Sequence, residues 1–187
     1  MSVAREPAPP YRNEGLHALW HVSEDPRIER FEPHVAATAE EQEPLVWALD
    51  TRHLPLYWFP RDCPRGTFWA NSASDPEDVR RLLGGAARVH VAEEDWLERI
   101  RAVGLYAYRF PDEPFAPHPG VGGYWIAREP VEPLEVVPLA SPLDLHAEAG
   151  IELRLLPNLW PLWNDVVAST LEYSGMRLRY ARPMLAP

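Results

Sequence analysis

Proline punctuates this chain so closely that long regular elements have little room. The sequence holds 22 prolines in 187 residues, about twice the ordinary ~5%. Each proline ring removes a backbone donor and crowds the residue before it, so it starts, bends or ends an element. Eight tryptophans accompany the prolines, and an indole fills core volume with few rotatable bonds. The combination predicts short strands and helices on a stiff scaffold.

Apolar patterning places those elements. Strands are expected at 16–23, 45–49, 67–70, 88–91, 104–110, 124–127, 131–137 and 151–155, where β-branched and aromatic residues cluster between turn signals. Helices are expected from Ser74-Asp75-Pro76 to Gly84-Gly85, over 93–102, over 141–149 with Gly150 as the stop, and over 158–173 as the longest. Ser-Pro and Asp-Pro starts and glycine stops are the usual punctuation of helices. Residues 1–15 and 177–187 read as loose tails, and 33–44 as an acidic surface loop. The expected fold is one α+β domain over 1–187, with a bent, mostly antiparallel sheet flanked by short helices.

Composition removes several chemistries. The net charge of -10 argues against a nucleic-acid partner. All basic residues are arginine, which excludes a lysine nucleophile, a Schiff base and a P-loop lysine. A single cysteine, Cys63, excludes an intrachain disulfide and a cysteine zinc cluster. The seven histidines are scattered singly, without metal-binding spacing, so no metal is expected. Neither a G-x-S-x-G elbow nor a G-x-G-x-x-G fingerprint occurs. No apolar run reaches the ~20 residues of a membrane span, and the first ten residues lack a signal-peptide pattern, so a cytoplasmic location is expected. Arg61 and Arg65 flank Cys63 and would activate it if it were exposed. The ordinary alternative is a buried, inert thiol.

One stretch invites a pocket. Leu19-Trp20-His21-Val22-Ser23 alternates so that Leu19, His21 and Ser23 share one face of a strand and Trp20 and Val22 the other. Its answering stretch is Gly123-Tyr124-Trp125-Ile126-Ala127-Arg128-Glu129-Pro130. The first stretch resembles the opening strand of ADP-ribosyltransferase-like domains. Val46-Trp47-Ala48 resembles their second motif. The segment from Tyr106 to Pro114, followed by 123–131, looks like the third-strand region and Tyr-x-x-Arg-Glu-Pro segment of the small rifampin ADP-ribosyltransferases. The whole chain also resembles a bacterial family of unassigned function.

The enzyme resemblance implies NAD as cofactor. His21 and Ser23 would hold its nicotinamide ribose, Trp47 would stack on the nicotinamide, and Arg128 would pair the pyrophosphate. An acid from Asp112, Glu113 or Glu129 would stabilise the oxocarbenium-like state, with His21 beside it in the catalytic set. Tyr57, in Tyr57-Trp58-Phe59, is a further candidate for lining the pocket. The acceptor of ADP-ribose stays open. The alternative is a non-catalytic domain that binds a small ligand or a protein.

Overall fold

The computed structural model describes residues 9, 11, 18–35 and 43–184. Most of the expected N-terminal tail, residues 36–42 of the acidic loop and residues 185–187 lie outside the described residues. The fold is α+β with mostly antiparallel sheets and short helices. Its backbone divides into two compact units, one made of residues 1–55 and 104–139, the other of 56–103 and 140–187.

The first unit holds a six-stranded antiparallel sheet of β1 (Leu19–Ser23), β2 (Val46–Asp50), β5 (Tyr106–Phe110), β6 (Ala116–Pro117), β7 (Tyr124–Ala127) and β8 (Glu135–Pro138). Their order is β6-β7-β2-β1-β5-β8. One face carries Leu19, Val46, Ala48, Tyr108, Phe110 and Ala127, with Phe31 and Ile28 from the turn after β1 packed onto it. Phe31 exchanges main-chain hydrogen bonds with Val131 at 2.8 and 3.0 Å. Trp20 and Ala107 belong to the other face, where the Trp20 indole N–H donates to Thr51 Oγ1 at 2.8 Å.

The second unit holds a four-stranded sheet of β3 (Arg65–Trp69), β4 (Arg88–Glu93), β9 (Glu152–Leu156) and β10 (Glu172–Met176) in the order β10-β3-β4-β9. Only β4 and β9 run parallel. Four short α-helices occur among the described residues: α1 (Pro76–Asp78), α2 (Leu97–Ala102), α3 (Pro142–Ala149) and α4 (Trp160–Val167). Phe68, Val89 and Val91 face Leu159, Trp163 and Val166 across an apolar layer. The Trp163 indole lies against Gly66 and Gly175, which pair across β3 and β10. A methyl group at either glycine would meet the ring at 2.6 Å. Among the described residues no helix is long and apolar enough to cross a membrane.

Three differences from expectation have a visible cause. The helix expected over 158–173 stops at Val167. Ser169 Oγ donates to the Val166 carbonyl at 2.7 Å, while the Thr170 N–H and hydroxyl both donate to Asp78 Oδ2. Hydroxyl side chains that offer the backbone such partners compete with a further helical turn. The chain then continues as β10, outside the expected set of strands. The strand expected over 131–137 is interrupted by Pro133, so Val131 makes only an isolated bridge and β8 starts at Glu135. The tail expected from Arg177 is tied down as far as Arg182, whose N–H donates to both oxygens of Glu93 at 3.1 and 3.0 Å.

Candidate functional site

The nominated residues of the first unit sit as their strands dictate. Trp20 pairs with Leu49 across β1 and β2, so strand alternation puts the Trp47 side chain on the Trp20 face and His21 on the opposite one. The imidazole therefore meets the main chain of Trp47 rather than its indole: His21 Nδ1 lies 3.2 Å from the Trp47 carbonyl oxygen. His21 packs at ring-centroid distances of 4.9 Å from Phe31 and 6.4 Å from Phe110. Trp47 stacks on His118 at 5.2 Å. Ser23 Oγ accepts the Asp25 N–H in a local turn.

The remaining candidates are dispersed. Arg128 makes a bidentate pair with Glu43, at 2.6 and 3.1 Å, on the exposed surface, which draws the Glu43 carboxyl below its ordinary range. Asp112, Glu113 and Glu129 are exposed on loops. Tyr57 belongs to the second unit, with the Arg65 guanidinium over its ring at 5.4 Å. A dinucleotide cradle needs the ribose anchor and the stacking face on one side of the sheet. The nominated residues do not fit that arrangement, and no step through NAD follows from them.

The second unit brings together a polar group that the sequence reading did not assemble. Register pairs Ser174 with Thr67 and Thr67 with His90 across β10, β3 and β4. Alternation then puts Arg65 and Thr67, Arg88 and His90, and Ser174 and Met176 on one face, opposite the apolar layer beneath Trp163. Arg65, Thr67, Arg88 and His90 are all buried. Arg65 is oriented by main-chain acceptors: its Nε donates to the Leu56 carbonyl at 2.7 Å and its Nη1 to the Cys63 carbonyl at 3.0 Å.

His90 forms a dyad with His146 of α3. Ser141 caps that helix by accepting the Asp144 N–H, Pro142 starts it, and Gly150 ends it at φ +65°, a conformation that glycine adopts without a Cβ penalty. His146 Nδ1 lies 2.6 Å from the Pro142 carbonyl oxygen and so carries the proton that this acceptor requires. His146 Nε2 is then a lone pair, and it lies 2.9 Å from His90 Nδ1, which donates to it. His90 Nε2 is left as a lone pair too.

Both rings are held neutral. Burial pushes His90 well below its ordinary value, helped by the nearby His146, Arg88 and Arg65. Burial also takes His146 down to about 4, opposed by its bond to the Pro142 carbonyl and assisted by Arg88. Phe59 closes over the dyad, 5.7 Å from the His90 ring and 5.2 Å from that of His146.

A cavity opens beside this dyad. Its walls include Leu56, Phe59, Thr67, His90, Ser174 and Met176. About 10 Å³ is open to the centre of a water molecule, about the least that one water-sized group needs. Thr67 and His90 both line the cavity, and Thr67 Oγ1 and His90 Nε2 are buried and make no hydrogen bond among the described residues. Buried polar atoms are nearly always paired, so two such atoms on cross-strand neighbours mark the place where a guest would be held. Ser174 and Met176, also in its lining, are part-exposed on β10, an edge strand.

Cys63 lies nearby and is fully buried. Burial pushes its thiol up to about 12, against the pull of Arg65 and Arg99. Arg65 and Arg99 therefore do not make it a nucleophile: desolvation outweighs their charge. Among the described residues no three His, Cys, Asp or Glu side chains gather as a metal site.

The alternation Arg88-Val89-His90-Val91 was the available signal for the site. It reads as a strand with a polar face and an apolar face, like Arg65-Gly66-Thr67-Phe68. The partner His146 lies 56 positions from His90, and nothing local in the sequence pairs them.

Comparison with known proteins gives a family and no activity. No curated protein and no solved structure matches the chain. A family model described as a family of unknown function, DUF6886, matches residues 20–181, most of the chain, and the chain belongs to the DUF6886 family.

Proposed function

We propose that this protein is a small-ligand-binding domain whose site is the cavity between Thr67, His90, Ser174 and Met176. One observation carries the reading: Thr67 and His90, on paired strands, both line one cavity, and each holds a buried polar atom without a hydrogen bond among the described residues. An unpaired buried polar atom costs about 1–3 kcal/mol. A fold that keeps two of them side by side recovers that cost when a guest supplies the bonds.

Binding is favoured over catalysis by the state of His90. A general base works best with a pKa near the working pH. His90 is held far below that range by burial and two neighbouring arginines, so it accepts a hydrogen bond without taking the proton. The test is a fragment screen observed on the full chain by NMR, with histidine ring nitrogens and threonine methyls labelled. Fragments that shift His90 and Thr67 together, and that lose affinity in Thr67→Val, support the site. A screen in which nothing moves either residue rejects it. NAD included in the same screen, with nicotinamide release read alongside, addresses the transferase resemblance directly.

A further inference from the structure

The chemical class of the guest follows from how the histidine protons are fixed. The Pro142 carbonyl holds a proton on His146 Nδ1, and His146 Nε2 holds the next one on His90 Nδ1. His90 Nε2 is thereby an acceptor, and the guest must bring a donor. Thr67 Oγ1 is a hydroxyl and can donate in return. A group that donates with one bond and accepts with another on the same atom satisfies both, and an alcohol oxygen does this within the space available.

Charge narrows the choice. An ammonium could donate, but Arg65 and Arg88 lie close enough to influence His90 and would repel it. A carboxylate would be drawn to the arginines, but it has no proton for His90 Nε2 and would set lone pair against lone pair. The carbon that bears the group meets Leu56, Phe59 and Met176, an apolar wall on which a short alkyl segment loses water.

Resting on the binding reading above, we propose that the cavity takes the hydroxyl end of a neutral alcohol. Its O–H donates to His90 Nε2, its oxygen accepts from Thr67 Oγ1, and the rest of the molecule runs out past Ser174 at the edge of the sheet.

The probes are ethanol, dimethyl ether, acetate and ethylammonium, each titrated into the full-length, histidine-labelled protein. A probe of three or four heavy atoms reaches millimolar affinity at best. The expected result is a saturable shift of the His90 Nε2 resonance with ethanol and none with dimethyl ether at equal concentration. Thr67→Val weakens the ethanol response about tenfold, while Ser72→Ala, outside the cavity, leaves it unchanged. Acetate or ethylammonium shifting these resonances where ethanol does not overturns the alcohol assignment and leaves the binding reading standing. Silence from all four probes, with fragments from the larger screen still moving His90, also rejects the alcohol. Silence from every compound, with an ordered water as the only guest, rejects both readings.

Discussion

His90 Nδ1 lies 2.9 Å from His146 Nε2, joining the middle of a buried strand to a helix through two neutral imidazoles. Two protonated imidazoles could not share that bond, because each nitrogen would then present a proton. The pair survives only while at least one ring is neutral, and the pKa directions of both agree with that.

Acid should therefore weaken the fold early. A histidine whose pKa is lowered by folding binds fewer protons in the folded state than in the unfolded one. The unfolded chain gains protons as the pH falls through about 6.5, whereas His146 resists until about 4 and burial holds His90 well below its ordinary value. The contribution of the two histidines to stability is fully present above about pH 6.5 and is lost as the pH drops below it. The slope is at most about 1.4 kcal/mol per pH unit for each histidine. Urea unfolding at pH 7, 6 and 5 checks it: a midpoint unchanged from pH 7 to pH 5 contradicts the neutral dyad.

Thr67→Val should leave stability unchanged or raise it by up to about 1 kcal/mol. The hydroxyl has no protein partner to lose, and replacing it with a methyl removes the cost of burying an unpaired polar group. Thermal unfolding of the variant measures this. A clear loss of stability would mean that the hydroxyl serves the fold.

Gly66→Ala should destabilise the second unit by about 1–3 kcal/mol. The added methyl would lie 2.6 Å from the Trp163 ring, whose motion is limited by its seat on Gly175. Trp163→Leu alone also destabilises, by removing a large buried side chain. In the double variant the two losses should sum to less than their total. Full additivity in chemical denaturation would show that the ring and the glycine do not compete for the same space.

Glu93→Gln should free the C-terminal stretch. The carboxylate is buried and accepts main-chain N–H groups from Leu159 and Arg182. An amide offers one acceptor oxygen and brings an N–H₂ to face those donors. The expected cost is about 1–3 kcal/mol, with faster hydrogen exchange at Arg182. Exchange as slow as in the parent would argue that Asp95, which also pairs with Arg182, holds the segment without help.

Cys63 should react with a disulfide reagent only as fast as the second unit opens. With its thiol at about 12 and no exposed surface, neither thiolate nor access is available in the folded state. Rapid stoichiometric labelling near pH 7.5 without denaturant would contradict the burial.

Much of the fold was legible because proline, glycine and alternation act locally. The short strand Tyr124–Ala127 and the helix between Ser141 and Gly150 lie where their punctuation put them. Long-range partners were out of reach. Thr170 ends a helix through Asp78, 92 positions earlier in the chain, so local propensity extended the helix too far. The His21 stretch was read correctly as a strand with alternating faces. That same alternation, applied across the β1–β2 register, puts Trp47 on the far side. Register is not a local property, and a shift of one residue would have reversed the result.

The order in which the sheet of the second unit is strung has a cost in time. Met176, at the end of β10, receives a hydrogen bond from Arg65 at the start of β3, although 111 positions separate them. β3 and β4 leave the ribosome long before either outer strand, exposing two edges until β9 and β10 arrive. Such distant closure slows folding and prolongs the interval in which bare strand edges can meet other chains. Newly made protein should therefore depend on chaperones or low concentration more than its size alone would suggest.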